Sequence, residues 1–560
     1  MNRIVRQLRN AARVLRDEGL LGARMLLVEK RHNRREARRY RRWLETKGRL
    51  TEADRNAMRS AIDGFRGRPL ISIILPVYNV DEKWLRHCLD SVAKQIYPNW
   101  ELCIADDAST APHIRPLLTE YARRDERIKV SFRTENGHIS AASNSAVGLA
   151  TGEFVVLLDH DDELSEDALF WVASEINSFP ETAMIYSDED LMDEGGRRYD
   201  PKFKPDFSRD LLYSTNLVTH LSGYRTALLR SIGGFRVGFE GSQDYDLALR
   251  VIEQVTEDRI RHIPRVLYHW RVIKGSVAFA MEEKSYAHER ARLAIREHLE
   301  RSGYPAATLE AAHNLHRVVY RMPEPEPSVS MIVSSEDEDA HASIKRAEFN
   351  EARYQIIFPE RSYATRAEWL NEAAARATGD VIVFVDSSLF PRNIQVVDEL
   401  VRVAIQDGIG AVGAKILRGD MFVEHTGLVI GPDLTPHAAH YGFPRSSPGN
   451  ISRNVLIGNC SAVSLSCMVV SRRVFESCGG FDTSVPCDLM DVDLCFRFRE
   501  TGRRIVVVPD VEFVRRGKQA VRKVADAELK RFRQRWSKYS ERDPFCNPNL
   551  KRDGSFEIDV

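Results

Sequence analysis

"LLDHDDEL", Leu157 to Leu164, carries an apolar run straight into three carboxylates, Asp159, Asp161 and Asp162. The preceding "FVVLL" reads as a buried strand. Carboxylates packed this closely repel and raise one another's pKa, so something must offset them, and a divalent cation is the natural candidate. A strand that ends on such a cluster fits an α/β sheet, in which ligands sit at the carboxyl ends of strands.

Working outward, the same neighbourhood occurs twice. "NSAVGLATGEFVVLLDHDDEL", from Asn144, is echoed by "NEAAARATGDVIVFVDSSLF", from Asn371, with the Asn, Gly and Asp at equal spacings. "SIGGFRVGFEGSQDYDLALR" matches "SCGGFDTSVPCDLMDVDLCFR", "IPRVLYHWR" matches "VPDVEFVRR", and "PLISIILPVYN" has a weak echo in "PSVSMIVSSED". Four blocks in one order mean two copies of one domain. Each alternates β-branched runs with helical stretches, so the expected fold is α/β with a mostly parallel sheet. The expected division is a basic helical segment (1–66), a first copy (67–285), a helical connector closing on the Pro-rich "MPEPEP" (286–326), a second copy (327–540) and a polar tail (541–560).

Composition is that of a soluble globular chain, 560 residues with 43% hydrophobic and 29% charged side chains and no net charge, which gives no global steering toward polyanions. Nucleic acid is therefore not an expected partner. The eight cysteines form no CxxC pair and read as free thiols of a reducing compartment. No apolar run reaches membrane-spanning length and the N-terminus has no signal-peptide core, so the expected location is cytoplasmic.

Candidate site residues cluster at the strand ends of the first copy. Asp106 and Asp107 in "ADDAST" offer acceptors to a nucleoside, and Tyr78 after Pro76 offers a stacking face; the alternative is that "DDAST" only caps a helix. Asp159 and Asp161 are hard oxygen ligands suited to Mg²⁺ or Mn²⁺ beside substrate phosphates, the alternative being a solvated acidic turn. His269 in "LYHWR" follows a strand as a third ligand or a packed core histidine. The second copy has Ser388 for Asp161, Leu389 for Asp162, Val514 for His269, Arg361 for Asp107 and Glu336 for Tyr78. Residues lost together argue for one site. Asp244 in "GSQDYDLALR" reads as a general base, yet the second copy keeps "DVDL", so part of that motif is structural.

With these motifs assembled, residues 69–280 resemble the family 2 glycosyltransferases of GT-A fold through "PVYN", "ADDAST", "LLDHDDEL", "GGF", "GSQDYDL" and "YHWR". "SAASNSA", "LDHDDEL" and "SDED" resemble the bacterial branch that builds O-antigen and related surface polysaccharides. The second copy is similar to the companion domain of that branch through "GAVGAKIL", "EHTGLVIG", "GGFD" and "DVDLCFRFRETG". The resemblance implies two tandem GT-A domains, the second degenerate. It implies a UDP-, dTDP- or GDP-sugar donor held by Pro76, Tyr78, Asp106, Asp107, Asn136 and Asp159. It implies Mg²⁺ or Mn²⁺ held by Asp159, Asp161 and His269, and inversion with Asp244 as base. "RVIKGSVA" (271–278) is then expected to be a lid. The sequence departs from the family at Ser143, where many members carry Arg, which removes one expected phosphate or ribose contact.

Residues 1–50 hold sixteen Lys and Arg against five Asp and Glu. Ile4, Leu8, Ala12 and Leu15 fall on one helical face, so residues 1–45 read as a basic amphipathic helix on anionic lipid, or as a partner-protein contact through Tyr40 and Trp43. Lipid contact suits a lipid-linked glycan acceptor. From another class, a non-catalytic glycan-binding or scaffolding protein is the rival reading.

Overall fold

The computed structural model describes residues 2–273, 285–304, 306–311, 315–334, 352–358, 365–391, 396–517 and 526–560; the side chains of 2–18 lie outside that description. The chain divides into two compact units. One comprises Arg39–Phe207 and Thr215–His316; the other comprises Met1–Arg38, Ser208–Ser214 and Arg317–Asp559.

The first unit is built on β1 (Ile71–Val77), β2 (Trp100–Asp106), β3 (Ile128–Phe132), β4 (Phe154–Leu157), β5 (Glu163–Leu164), β6 (Met184–Asp193), β7 (Arg198–Lys202), β8 (Ser222–Arg225) and β9 (Ile260–Val272). Their order is β3-β2-β1-β4-β8-β6-β9-β5, with β7 on β6. β1 to β4 run parallel, as do β6 and β9. β8 runs against β4 and β6, and β5 against β9, so the sheet is mixed. Every residue of β1 and β2 is buried, which is why those strands read as unbroken apolar runs rather than alternating ones. Helix Glu82–Ala93 starts where the Asp81 side chain accepts from Lys83 N, and it buries Trp84, Leu85, Cys88, Leu89 and Val92 at helical spacing.

In the second unit the sheet order is Tyr354–Ile357, Val329–Ser334, Val381–Asp386, Cys467–Ser471, Ile409–Leu417, Arg504–Arg515, Leu389–Pro391, with Val423–His425 on Ile409–Leu417. Strand for strand this is β2-β1-β4-β8-β6-β9-β5 with β7, in the same parallel and antiparallel senses. The repeat in the sequence is thus a repeat of one sheet.

The repeat extends to single hydrogen bonds. Asn144 clamps Phe235 through Nδ2 to O (2.8 Å) and N to Oδ1 (2.9 Å); Asn371 clamps Phe481 with two bonds of 2.8 Å. A Cβ on Gly234 would stand 2.5 Å from Asn144 Oδ1, and one on Gly480 2.6 Å from Asn371 Oδ1, and both glycines have positive φ. "GGF" is therefore a receptor for the upstream Asn. In the first copy Glu101 accepts from Ser72 Oγ (2.6 Å), Lys129 Nζ (2.6 Å) and Thr151 Oγ1 (2.8 Å), tying β1, β2 and β3 to the turn before β4. In the second, Gln355 accepts from Ser330 Oγ (2.7 Å) and Thr378 N (2.9 Å) at the matching place.

Two segments differ from a reading of their composition. Tyr40 and Trp43, offered above as a partner contact, are 1% and 5% exposed; they stack on each other and pack against Phe203 of the same unit. The polar tail is packed as well: Asp543 accepts from Ile430 N (2.8 Å) and Ser461 Oγ (2.7 Å), and Phe556 and Ile558 are buried. Asp543 there satisfies two buried partners. Among the described residues all eight cysteines are free, and no helix is long and apolar enough to cross a membrane.

Candidate active site

The ends of β1 and β2 bring the expected nucleoside residues together. Val77 pairs with Asp106, and Asp107 N donates to Val77 O (2.9 Å). Asn136 Nδ2 donates to Asp107 O (3.3 Å), and Pro76 O is bonded to His160 Nδ1 (3.1 Å). Tyr78 is 45% exposed, so its ring face is open. Asp107 is different: it is buried, and its carboxylate accepts from Arg133 Nε (2.7 Å) and Gly137 N (3.0 Å). That carboxylate first of all fixes the loop carrying Asn136. Buried Asp106 accepts from Ser109 N (3.3 Å) in a local turn, and the next helix, Ile114–Arg124, has His113 at its N-cap with no side-chain cap bond, so "DDAST" does not cap it.

The three carboxylates of "DHDD" have three fates. The Asp159 side chain is 47% exposed on the floor of the site, with Oδ2 3.8 Å from His220 Nε2. Partial desolvation raises its pKa, but the charge of nearby His220 outweighs that, and the net shift is downward. Asp161 is pushed up by burial and by the Asp159 charge, with His160 opposing. Asp162 is buried, with Oδ2 accepting from Tyr268 OH (2.7 Å) and Oδ1 from Arg271 N (2.7 Å). Burial and the Asp161 and Asp159 charges hold it well above the ordinary range. Asp162 therefore pins the turn to β9. Arg271, also buried, bonds Asp161 O (2.9 Å) and pairs with Glu163, closing the same turn from the other side.

His220, which precedes β8, is the residue that sequence reading missed. Ligand atoms of Asp159, Asp162 and His220 all lie within 4.8 Å of one another. His220 Nδ1 is bonded to Glu189 Oε2 (2.9 Å), and its ring stacks on Tyr268 with centroids 4.5 Å apart. Burial lowers its pKa, yet the Asp159 charge and the bond to Glu189 prevail and lift it well above the ordinary imidazole value. This corner is built to hold positive charge. His269 is oriented in the same way, Nδ1 against Asp190 Oδ1 (2.7 Å). Glu189 and Asp190 of β6 thus each hold one histidine by Nδ1, as a carboxylate orients a metal-ligating imidazole, and of the two only His220 has a ring nitrogen in the cluster with Asp159 and Asp162. The signal was present in "SDED", acidic residues inside an apolar strand, each needing a cationic partner.

Asp244 stands in the first turn of helix Gln243–Ile252, half-buried, with Oδ2 accepting from Asn216 Nδ2 (2.8 Å). Burial raises its pKa, with His220 opposing. The loop 215–221 thus delivers Asn216 to Asp244 and His220 to Asp159, and buried Lys204 binds its carbonyls at Thr219 and His220 from beneath. Two residues on, fully buried Asp246 is tied to Arg250 Nε (2.9 Å) and Arg236 Nε (3.0 Å), a structural pair repeated by Asp493 and Arg497 (2.7 Å). Asp491, which matches Asp244, accepts two backbone N–H bonds, from Leu465 (3.1 Å) and Val492 (2.9 Å). Of the expected lid, residues 274–278 lie outside the described residues.

A cluster of carboxylates and a histidine beyond parallel strand ends, with the half-buried carboxylate of Asp244 near His220, suits a divalent cation and a proton transfer. Residues 72–233 match the model of glycosyl transferase family 2. The chain is 37% identical over 528 residues to the uncharacterized protein y4gI of Sinorhizobium fredii, covering 86% of this chain and 58% of that one. It is 34% identical over 538 residues to the O-antigen biosynthesis protein RfbC of Myxococcus xanthus, covering 88% and 41%. Over 203 residues it is 29% identical to the putative colanic acid biosynthesis glycosyl transferase WcaA of Escherichia coli, covering 34% and 69%. The chain spans about half the length of the first two relatives. Residues 72–233 form a glycosyl transferase family 2 domain.

Proposed function

We propose that the first copy transfers a sugar from a nucleotide-diphosphate donor to a hydroxyl of a glycan acceptor, with inversion, in the assembly of a bacterial surface polysaccharide. The observation that carries this is the convergence of Asp159, His220 and Asp244 at the strand ends, with exposed Tyr78 at the same edge of the sheet. Similarity to the O-antigen and colanic acid proteins supports the product class.

Tyr78 stacks on the base, and the rim of Pro76, Asp106, Asp107 and Asn136 seats the nucleoside. Asp159 and His220 would hold Mg²⁺ or Mn²⁺, with Asp161 and His269 the further ligands that the family resemblance suggests; the carboxylate oxygens suit either ion. The chemistry a bound cation supplies is neutralisation of the charge that grows on the departing nucleoside diphosphate. Asp244 takes the proton of the acceptor hydroxyl as its oxygen bonds to the anomeric carbon and the bond to the diphosphate breaks on the opposite face. The lifted pKa of Asp244 makes it a better base for that proton than an ordinary surface carboxylate.

The acceptor is a lipid-linked glycan. The basic N-terminal helix brings the chain to an anionic surface, and Arg31, Arg34, Arg35 and Arg38 are exposed on it.

The test is release of nucleoside diphosphate from UDP-, dTDP- and GDP-sugars with Mn²⁺, Mg²⁺ or chelator. One donor class should give release that chelator stops and that Asp159→Ala lowers by about 10²-fold or more. Release untouched by Asp159→Ala would overturn the site. Donor binding with no turnover against any acceptor would favour the scaffold reading.

A further inference from the structure

The second copy has lost the charged pattern of the first, and something stands in its place. Strand register fixes the correspondence. Glu163 pairs with His269 as Phe390 pairs with Val514, so Leu389 opposite Arg515 matches Asp162 opposite Trp270. Phe154 pairs with Arg225 as Val381 pairs with Ser471; counting back along the strand sets Ser466 at the place of His220. Asp386 and Ser388 match Asp159 and Asp161.

Arg515 bonds to those very positions. Its guanidinium donates to Ser388 Oγ (2.7 Å) and Ser466 Oγ (3.0 Å), and Nη1 lies 3.4 Å from Asp386 Oδ2. Nε is shared by both oxygens of Glu424, at 2.8 and 2.9 Å. Arg515 and Glu424 are 5% and 3% exposed, so this is an interior pair, whereas the Asp386 side chain is 31% exposed. A planar fork with five donors and a permanent charge is the side chain best able to satisfy two carboxylates and two hydroxyls at once.

We infer that in the second copy Arg515 occupies the place that takes a divalent cation in the first, so that this copy neither needs nor admits one. The comparison with the first copy rests on the reading of Asp159 given above; the claim that the second copy excludes a cation does not. The second domain then has no centre for a nucleoside diphosphate, because the charge that would hold the phosphates is already spent on Asp386 and Glu424.

Mn²⁺ titrated into the full chain, with free ion followed by electron paramagnetic resonance, tests it. Asp386→Asn should bind as many Mn²⁺ as the wild type, and Arg515→Ser, if folded by circular dichroism, should bind about one more per chain. A loss of one Mn²⁺ in Asp386→Asn, or no gain in folded Arg515→Ser, overturns the inference. Should Arg515→Ser fail to fold, Arg515→Lys keeps the charge and is expected to add no Mn²⁺, while the Asp386→Asn arm still decides. Asp159→Asn separates the two readings. If it loses no Mn²⁺, the first-copy assignment fails and the second-copy result stands by itself.

Discussion

Asp244→Asn is expected to lower the rate of sugar transfer by about 10²- to 10⁴-fold while leaving donor binding and thermal stability near wild type. The substitution is isosteric and removes the base. Its hydrogen bond is to the neutral amide of Asn216 at 2.8 Å, and nearby His220 keeps Glu189 and Asp159 as counter-charges, so no cation is stranded. Single-turnover transfer from pre-bound donor, beside donor affinity by calorimetry, is the check. A variant that transfers within threefold of wild type would remove Asp244 from the chemistry.

Two residues along the same helix, Asp246→Ala has the opposite signature. Asp246 is fully buried beneath Arg250 and Arg236, and Arg250 also holds the carbonyls of Ile232 (2.9 Å) and Gly234 (2.6 Å). Removing the carboxylate leaves a buried guanidinium without its counter-charge, a loss of about 3 to 5 kcal/mol. Asp493→Ala should behave alike, because Arg497 holds Cys478 O and Gly480 O in the same way. Denaturant unfolding of both variants is the measurement; a loss under about 1 kcal/mol in either would contradict the assignment.

"DYDL" shows what was legible in the sequence. The second copy keeps both aspartates, and that retention marked part of the motif as structural. It could not say which part, because the answer lies in the partners: two arginines for Asp246 and an amide for Asp244. The tandem repeat was fully legible, since the Asn clamp and the Gly at its receptor need fixed residue types at fixed spacing. The antiparallel strands among parallel ones were not, because a buried strand reads the same in either direction. His220 was hidden for a different reason. Nothing local distinguishes it, and its meaning comes from Asp159 and Glu189, 61 and 31 residues away in sequence. Tyr40 and Trp43 were read as a contact for a partner protein because they are aromatics in a basic helix, and only Phe203 and Asp190 reveal where they point.

The tie between strands at Glu101 and Gln355 gives the two copies different tolerance of acid. Burial raises the pKa of Glu101, but Lys129, Ser72 and Thr151 outweigh it and bring it from 4.5 to about 2. A carboxylate depressed in this way contributes its stability in full above pH 4.5 and loses it as pH falls toward 2. The difference is worth about 3 kcal/mol. Gln355 has no proton to gain, so its tie is indifferent to the same change. Acidification from pH 5 to pH 2 should therefore loosen the first sheet before its sister, seen as earlier amide exchange in the strands around Glu101 than around Gln355. Simultaneous exchange would mean that other groups set the acid limit of both.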